Sequence, residues 1–310
     1  MDSLAIFCNQ QFPAEAAALL RQGLTPHHLV DTLALADVAF GQPDPGAVMA
    51  SERLRWVQVS SAGYTAYDRE DLRVALGQRG AALTKSSAVY DEPCAEHLLA
   101  LLCAQARQLP AAFANQLGPR GWPQKPLRGQ TRLLREQAVV IVGFGSIGRR
   151  LCELLAPLAM QVTALRRRVV GDEPVPTFTV EDPRAIAALA AADHVLDVLP
   201  ANPHTARFFD EARLAGLKTG AVFYNVGRGT TVDQDALLAA LGSGRLAAAY
   251  LDVTSPEPLP VDHPLWTTPG CFVSPHTAGG HDTEHERLVR HFLENLRRFG
   301  EGRPLVDRVI

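Results

Sequence analysis

The sequence predicts an α/β fold built from two doubly wound domains, each with a parallel sheet covered by helices. Two observations lead to this prediction. The chain has 310 residues, about twice the length of an ordinary domain, so each half is long enough to bury a core of its own. Short apolar runs also alternate with helix-length amphipathic segments almost from end to end, which is typical of parallel strands joined by crossover helices.

The first half of the chain contains four predicted strands and one long helix. Apolar runs bounded by turn-forming residues predict strands at 4–8, 37–40, 55–59 and 81–84. The spacing of apolar residues then predicts a helix over 93–109, and a stretch rich in glycine and proline follows at 118–123. We expect this helix and loop to connect the two domains.

The second half continues the alternation with a longer series of strands. Helices are predicted to begin near Ser146 and Glu181, and the last helix, over 284–299, is amphipathic. We expect that helix to return to the first domain. The predicted domains are therefore a discontinuous substrate-binding one, 1–100 with 285–310, and a continuous dinucleotide-binding one, 101–284. The predicted strands of the second domain lie at 138–142, 161–165, 195–199, 221–226, 247–251 and 272–274.

Composition and charge exclude several classes of protein. The chain carries 30 Lys and Arg against 33 Asp and Glu, for a net charge of -3, so no overall basic field attracts nucleic acid. Its five cysteines are odd in number and none belongs to a C-x-x-C pair, which argues against a disulfide framework and a thiolate metal site. The N-terminus lacks a basic segment before an apolar run, and no apolar run is long enough to span a bilayer. We therefore expect a cytoplasmic protein that binds neither nucleic acid nor membranes.

A glycine-rich turn marks a dinucleotide site in the second domain. The pattern G-x-G-x-x-G, formed by Gly143, Gly145 and Gly148, lies where a buried strand is followed by a helix, and another strand completes the βαβ unit. The first glycine allows a tight turn, the second lets the backbone approach a pyrophosphate, and the third permits close packing of helix on strand. Ser146 and Ile147 begin the helix, so their free N–H groups can bind the phosphates. A glycine-rich turn that binds nothing is the alternative.

The residues after the next strand bear on the choice of dinucleotide. An Asp or Glu at this point grips the ribose hydroxyls of NAD, but the sequence has Arg166, Arg167 and Arg168. Guanidinium groups suit a 2′-phosphate because charge-assisted hydrogen bonds to phosphate are strong. We therefore predict that NADP(H) is preferred, with NAD(H) as the second choice of cofactor. The alternative is that the arginine run is a solvated surface loop.

Three further motifs each place a polar residue just after a strand, where open α/β sheets bind their ligands. Arg228 lies in N-V-G-R-G, Glu257 in D-V-x-x-x-E-P-L and His276 in S-P-H-x-A-G. Taken singly, the arginine can cap a turn, the glutamate can be an exposed loop acid and the histidine can belong to the core. Taken together, and after the glycine turn, the motifs resemble those of the D-isomer-specific 2-hydroxyacid dehydrogenase family. That family includes phosphoglycerate dehydrogenases and glyoxylate/hydroxypyruvate reductases.

The resemblance implies a Rossmann cofactor domain, a flavodoxin-like substrate domain and hydride transfer between a nicotinamide dinucleotide and a small 2-oxoacid such as glyoxylate, hydroxypyruvate or pyruvate. The arginine at position 166, where the family pattern has an acid, puts the use of NAD in doubt. It implies that Arg228 clamps the substrate carboxylate and polarises its C2 carbonyl, that His276 protonates that oxygen, and that Glu257 holds His276. The N–H groups of Ala62 and Gly63 would bind the carboxylate as well. The resemblance also implies a homodimer, and no metal is expected. Further cofactor contacts are implied for Thr205, Val226, Gly227, Asp252, His276 and Gly279.

Three other interpretations of the sequence stay open. A non-catalytic protein that senses dinucleotides, like the corepressors among relatives of this fold, would keep the nucleotide site without turnover. A methyltransferase can use the same glycine turn, although Arg166 fits its ribose contact poorly. A metal hydrolase could use His281 and His285, which are four residues apart with Glu284 between them, although their order is not H-E-x-x-H.

Overall fold

The computed structural model describes residues 3–310 and divides them between two compact units. One unit contains the chain through Tyr90 together with Gly280–Ile310, and the other contains Asp91–Gly279. Met1 and Asp2, which belong to the predicted segment 1–100 and to the N-terminus assessed for a targeting signal, lie outside the described residues. Within the described part of the chain, no helix combines the length and the apolar character needed to cross a bilayer.

Strands and helices alternate along both units. The strands are β1 (Ala5–Cys8), β2 (His28–Val30), β3 (Val38–Gly41), β4 (Trp56–Val59), β5 (Ala82–Thr84), β6 (Ala138–Val142), β7 (Gln161–Leu165), β8 (Thr177–Phe178), β9 (His194–Asp197), β10 (Ala221–Asn225), β11 (Leu246–Leu251) and β12 (Cys271–Val273). The α-helices are α1 (Ala14–Gly23), α2 (Pro45–Ala50), α3 (Glu70–Gln78), α4 (Ser87–Ala106), α5 (Leu109–Leu117), α6 (Gln124–Gln130), α7 (Ser146–Leu155), α8 (Pro183–Ala191), α9 (Glu211–Gly216), α10 (Gln234–Gly242) and α11 (Glu284–Gly300).

The first unit contains a parallel sheet in the order β2-β1-β3-β4-β5, which is the order of flavodoxin-like folds. Helix α11, from the last segment of the chain, contributes to its core. The ring of Phe292 in α11 stacks on Phe40 of β3 at a centroid distance of 4.2 Å and on Trp56 of β4 at 5.4 Å. All three side chains are fully buried, so the returning helix is part of the core of the first unit.

The second unit contains a parallel sheet in the order β12-β11-β10-β9-β6-β7-β8. Strand β6 comes first in this unit and lies inside the sheet, with later strands added on both sides of it, as in Rossmann folds. Strands β6, β9 and β10 are buried along almost their whole length, as expected when helices cover both faces of a parallel sheet. Their carboxyl ends lie at one edge, and the loops with the predicted site residues begin there.

The predicted strands all form, with boundaries within two residues of those expected, but other elements differ. Strands β2 and β8 were not predicted, because one is mostly exposed and the other has two residues, so neither produces an apolar run. The predicted helix over 93–109 begins earlier, at Ser87, and Pro93 lies inside it. Pro93 removes one helical hydrogen bond, but it is buried with the two residues that follow, so packing sustains the helix. The loop predicted at 118–123 forms between α5 and α6, but it lies inside the second unit and does not connect the two units. The chain passes from the first unit to the second within α4, between Tyr90 and Asp91.

Candidate functional site

Three loops with predicted site residues follow neighbouring strands of the second sheet. The last residue of β10 pairs with the last residue of β11, which pairs with the last residue of β12. Arg228, Glu257 and His276 follow these three strand ends in turn. Because the carboxyl ends of parallel strands lie at the same edge of a sheet, the three loops are neighbours.

Glu257 and His276 are in direct contact. Nδ1 of His276 lies 2.8 Å from Oε2 of Glu257, and the other carboxylate oxygen accepts the backbone N–H of Thr254 at 2.9 Å. The carboxylate is therefore held by its own loop and orients the imidazole ring in turn. A proton on Nδ1 pairs with the carboxylate, and Nε2 is then the ring nitrogen that can exchange a proton with a ligand. The His276 side chain is 53% exposed, so the ring is accessible.

The loop that carries His276 is held by the buried carboxylate of Asp252. This carboxylate accepts hydrogen bonds from Ser274 Oγ at 2.6 Å, Thr277 N at 2.9 Å and Ala278 N at 3.0 Å. His276 has a φ angle of 54°, a left-handed conformation that costs a residue with a side chain about 1–2 kcal/mol. The two N–H groups that follow His276 both donate to Asp252, and these bonds offset the strain.

Arg228 lies in a turn that a buried amide holds in place. Nδ2 of Asn225 donates to the Arg228 carbonyl at 3.1 Å, and Oδ1 of the same amide accepts the N–H of Gly227 at 2.8 Å. Asn225 is buried, so its side chain serves the turn and not a ligand. Nη1 of Arg228 donates to the Gly227 carbonyl at 2.6 Å. The other guanidinium nitrogens have no hydrogen-bond partner within residues 3–310.

The turn with Arg228 and the loop with Glu257 are packed against each other at Gly229. A Cβ atom on Gly229 would lie 2.0 Å from the carbonyl carbon and oxygen of Thr254 and 2.6 Å from Ser255 N. Because these are backbone atoms, no side chain fits at this position. Gln234 adds two hydrogen bonds to the same loop, accepting the Ser255 N–H at 2.8 Å and donating to the Ser255 carbonyl at 2.7 Å. The two segments therefore form one packed assembly.

The pKa of the Cys94 thiol depends on its burial and on the charges of Asp252 and Arg228. Burial and, to a smaller extent, the negative charge of Asp252 raise its pKa to about 12, against the positive charge of Arg228, which lowers it. The charges of Arg228 and Asp252 therefore both affect this buried thiol.

A buried acid adjoins the Arg228 turn. Asp197, the last residue of β9, is fully buried, and its pKa is raised to about 7 because burial disfavours the charged carboxylate. Oδ2 of Asp197 lies 2.5 Å from Oγ1 of Thr231, and Oδ1 accepts the N–H of Leu199 at 3.0 Å. Sequence reasoning missed this residue. The signal that could have found it is a single acid in an otherwise apolar strand.

The glycines of the glycine-rich turn differ in their surroundings. Gly143 has a φ angle of 101°, and a Cβ on it would lie 2.7 Å from the Val198 carbonyl oxygen, so no other residue type fits. A Cβ on Gly148 would lie 3.0 Å from the Gly143 carbonyl oxygen, so this glycine lets α7 pack closely on β6. A Cβ on Gly145, the N-cap of α7, would meet no protein atom within 4 Å. Packing within the protein does not require Gly145, and its lack of a side chain keeps the approach to the helix N-terminus open.

The arginine run after β7 is organised by an acid that follows it. Glu173 accepts the N–H groups of Val170 at 2.9 Å and Gly171 at 2.8 Å and forms an ion pair with Arg166 at 2.6 Å. The hydrogen bond from Val170 and these other contacts lower the pKa of Glu173 to about 2. Arg167 is exposed and has no ion-pair partner in the described part of the chain. Sequence reasoning missed Glu173, which is seven residues beyond Arg166.

Two of the predicted substrate-binding residues, Ala62 and Gly63, lie in the first unit, in the loop after β4. Ser61 Oγ donates to the Gly63 carbonyl at 2.5 Å and so tightens this loop. Neither backbone N–H, that of Ala62 or that of Gly63, meets a protein acceptor among the described residues. Both donors are therefore available to an anion.

The remaining predicted cofactor residues lie in the second unit. Thr205 is in the loop after β9, where its hydroxyl donates to the Pro200 carbonyl at 2.6 Å and accepts the Asn202 N–H at 3.0 Å. A Cβ on Gly227 would lie 2.6 Å from the Leu199 carbonyl oxygen, so the loops after β9 and β10 touch. The others lie at the start of α7 or in the loops after β10 and β12, namely Ser146, Ile147, Val226 and Gly279.

His281 and His285, on which the metal hypothesis depends, lie in the first unit. Nδ1 of His281 is 3.3 Å from Thr283 Oγ1, and the His285 ring packs edge-on against Phe12 at a centroid distance of 5.9 Å. Across residues 3–310, no group of three or more His, Cys, Asp or Glu side chains is placed to hold a metal ion.

The chain is similar to known proteins over most of its length. The family model for "D-isomer specific 2-hydroxyacid dehydrogenase, NAD binding domain" matches residues 99–278. Human glyoxylate reductase/hydroxypyruvate reductase is 32% identical over 257 residues, which are 83% of this chain and 77% of that protein. Glyoxylate/hydroxypyruvate reductase B of Yersinia pestis is 31% identical over 285 residues, which are 88% of this chain and 85% of that protein. A D-isomer specific 2-hydroxyacid dehydrogenase from Xanthobacter autotrophicus Py2, solved with NADPH and MES, has 27% identity and a TM-score of 0.85, with 100% of this chain and 98% of that chain covered.

One added methyl group tests the packing at Gly229. Gly229→Ala is expected to lower the free energy of unfolding by about 1–3 kcal/mol, because the new Cβ overlaps backbone atoms of Thr254 and forces a loop to move. Gly242→Ala, at the end of α10, is the matched control, since a Cβ there meets no atom within 4 Å. Urea unfolding measures both variants against wild type. Equal stability of the two variants would contradict the packing.

Proposed function

Because this chain belongs to the D-isomer specific 2-hydroxyacid dehydrogenase family and is thereby an NAD(P)-dependent oxidoreductase of 2-hydroxyacids, we propose that it reduces small 2-oxoacids to D-2-hydroxyacids. Arg228 and His276 act on the substrate, and Glu257 orients His276. The observation that carries the proposal is the 2.8 Å contact between Glu257 and His276, on loops packed with the Arg228 turn. The two relatives compared above are named as reductases of glyoxylate and hydroxypyruvate, and we propose substrates of this size.

Arg228 supplies the positive charge that the reaction needs. When bound, the reduced nicotinamide supplies the hydride that reaches C2 of the substrate. The C2 oxygen then gains negative charge and requires both a fixed positive group and a proton. A guanidinium stays charged at any working pH and its planar set of donors suits a carboxylate. Only Nη1 of Arg228 is engaged within the described protein, by Gly227, so the remaining donors serve the substrate carboxylate and the C2 oxygen.

His276 supplies the proton. Its Nδ1 is engaged by Glu257, so Nε2 is the atom that donates to the C2 oxygen. After the transfer the ring is neutral and keeps the Nδ1 proton that Glu257 accepts, so the ring does not turn away from the substrate. In the oxidation direction the same nitrogen accepts the proton of the hydroxyl group.

The first unit contributes the loop with Ala62 and Gly63. Their two N–H groups meet no acceptor within the described protein, and paired backbone donors of this kind bind carboxylates without adding a charge. We assign them to the substrate carboxylate.

The second unit carries the features that a dinucleotide needs. Gly145 keeps the N-terminus of α7 open, and a helix N-terminus with free N–H groups binds phosphate. We assign the N–H groups of Ser146 and Ile147 to the pyrophosphate. Val226 and Gly227, beside the Arg228 turn, are assigned to the nicotinamide end. Asp252 supports the His276 loop, and we assign its contact with the nicotinamide amide as a second role.

Substitution of the acting side chains tests the assignment. Arg228→Ala is expected to lower kcat/KM for 2-oxoacid reduction at least ~100-fold, because it removes the group that stabilises the developing charge, and His276→Ala should act similarly at neutral pH. Arg245→Ala is the control, since Arg245 lies in the same unit and bonds Thr219. Initial rates with a panel of 2-oxoacids and both reduced cofactors measure the effect.

Two results would contradict this function. Arg228→Ala with activity within a few-fold of wild type would refute the role of the guanidinium. Tight cofactor binding without turnover of any 2-oxoacid would instead favour the non-catalytic dinucleotide sensor.

We further propose that NADP(H) is preferred over NAD(H). Glu173 is occupied by Arg166 and by two backbone N–H groups, so it is not available to ribose hydroxyls. The exposed Arg167 has no ion-pair partner within residues 3–310, which leaves its guanidinium for a 2′-phosphate. We assign Arg166, as positioned by Glu173, to the same phosphate.

The cofactor proposal has a selective test. Arg167→Ala is expected to lower kcat/KM for NADPH ~10–100-fold while kcat/KM for NADH changes little, because a charge-assisted hydrogen bond contributes roughly 1.5–3 kcal/mol. Arg184→Ala is the control, because Arg184 is an exposed arginine of the same unit whose partner is Asp182. Equal kcat/KM values of the wild type for NADPH and NADH would contradict the proposed cofactor preference.

We also propose that the protein is a homodimer that pairs through the surface of α5 and the loop after it. Leu109, Phe113 and Leu117 are spaced by four residues on one face of α5, and all three are exposed. Leu117 is 83% exposed and Trp122 is 91% exposed. Contiguous apolar side chains on a surface are typical of a protein interface, and self-complementary pairing is the commonest arrangement.

The dimer can be checked in solution. Wild type is expected to sediment with the mass of two chains, and Phe113→Glu is expected to shift the protein toward one chain, because a buried unpaired charge opposes association. Ile186→Glu is the control, since Ile186 is an exposed apolar residue of α8 in the same unit. Sedimentation equilibrium separates the outcomes, and a monomeric wild type would refute the proposal.

A further inference from the structure

Thr231 is a buried residue whose hydroxyl touches two oxygens. Oγ1 of Thr231 lies 2.5 Å from Oδ2 of Asp197 and 2.6 Å from the carbonyl oxygen of Arg228. The second distance is that of an O–H···O hydrogen bond, and the first lies at the short limit for such a bond. A threonine hydroxyl has a single hydrogen, whereas a carboxylate and a carbonyl are acceptors only. At such short range, both contacts can be separate two-centre hydrogen bonds only if one more hydrogen is present.

Asp197 is the group that can supply this hydrogen. Asp197 and Thr231 have no exposed surface, so bulk water does not satisfy either side chain. A buried carboxylate without a charged partner is strongly disfavoured against its neutral form. Burial raises the pKa of Asp197 to about 7, far above the usual range of an aspartate.

The surroundings of Asp197 contain few ionisable groups. Strand β6 on one side of β9 has none, and β10 on the other side brings Tyr224. Tyr224 bonds His194, the other ionisable residue of β9, at 3.0 Å. The Arg228 side chain is directed to the Gly227 carbonyl. None of these side chains bonds the carboxyl group of Asp197, so the carboxyl pairs only with a hydroxyl and an N–H group.

We propose that Asp197 is a positioning residue for Arg228 and acts as a neutral acid: Oδ2–H donates to the Thr231 hydroxyl, and that hydroxyl donates to the Arg228 carbonyl. The inference rests on the proposed function, since Asp197 affects the reaction only through the contact of Arg228 with the substrate. The Arg228 carbonyl also accepts from Asn225 Nδ2 at 3.1 Å and from Thr231 N at 3.2 Å. The hydroxyl contact is the shortest of the three, so it does most to hold the turn.

Loss of the Asp197 proton reverses the direction of this chain of hydrogen bonds. The Thr231 hydroxyl then donates to the carboxylate, and the Arg228 carbonyl oxygen faces an oxygen lone pair at close range. The repulsion displaces the turn and with it the guanidinium. Binding of the 2-oxoacid therefore weakens as the pH rises through about 7, the folded pKa of Asp197, and is retained below it.

Four variants separate the hydrogen-bond chain from mere packing. Asp197→Asn replaces the O–H donor with an N–H donor that does not titrate. Thr231→Val keeps the shape of the side chain and removes the hydroxyl, and Thr231→Ser restores a hydroxyl. Thr230→Val makes the same change as Thr231→Val at the exposed neighbouring position and is the control.

Kinetics give the first readout. Thr231→Val is expected to raise KM for the 2-oxoacid ~10-fold, because a buried acceptor loses its donor, whereas Thr231→Ser restores most of the affinity and Thr230→Val has no effect. The ratio of KM for wild type to KM for Asp197→Asn should rise with pH around 7, since the two proteins differ only in the group at position 197. A pH-independent ratio, or wild-type KM in Thr231→Val, would overturn the positioning role.

An infrared measurement tests the proton without any turnover. At about pH 6, below the folded pKa, the carbonyl band of a protonated carboxylic acid is expected in wild type and in Arg228→Ala but not in Asp197→Asn. Absence of that difference would overturn the neutral acid whatever the activity. If the band is present but Arg228→Ala keeps full activity, the proposed function fails, and the positioning role fails with it, while the assigned proton stands. If Thr231→Val fails to fold, the infrared band still tests the proton on Asp197. The pH dependence of the KM ratio between wild type and Asp197→Asn still tests the positioning role.

Discussion

The contact between Gly229 and the backbone of Thr254 is the constraint on which the candidate site depends. Parallel strands bring the loops after β10 and β11 to one edge of the sheet, but strand register alone leaves the loops free to move. The two loops approach this closely only because position 229 has no side chain, since a Cβ there would lie 2.0 Å from Thr254 backbone atoms. The contact therefore sets the spacing between the Arg228 turn and the loop of Glu257, and through Glu257 it sets the place of His276.

Buried polar groups complete the positioning. Asp252 accepts two N–H groups next to His276, and Asn225 and Thr231 hold the carbonyl of Arg228. A buried polar group costs free energy unless it is hydrogen-bonded, and here each bond that meets this requirement also restrains a loop that carries a residue of the candidate site. Groups held in advance of the reaction do not have to reorganise when charge develops, which is the physical basis of electrostatic catalysis. The same interactions therefore serve both stability and the geometry of the candidate site.

Much of the fold was predictable because burial leaves a pattern in the sequence. A strand covered on both faces is a run of apolar residues, as in Ala138–Val142 and Ala221–Asn225. Edge strands need no such run, so His28–Val30 and Thr177–Phe178 were not predicted. The helix Ser87–Ala106 contains a proline, and local propensity could not show that buried packing would outweigh the lost hydrogen bond.

The sequence by itself determined the glycine turn and the order of the polar residues that follow the strands. The role of Gly143 could be predicted from the sequence because its backbone conformation excludes other residue types. Only the tertiary structure decided which polar groups pair. Glu257 and His276 are 19 residues apart and Asp197 and Thr231 are 34 apart. No local pattern couples residues at such separations, because their contact arises only when parallel strands bring distant loops to one edge of the sheet.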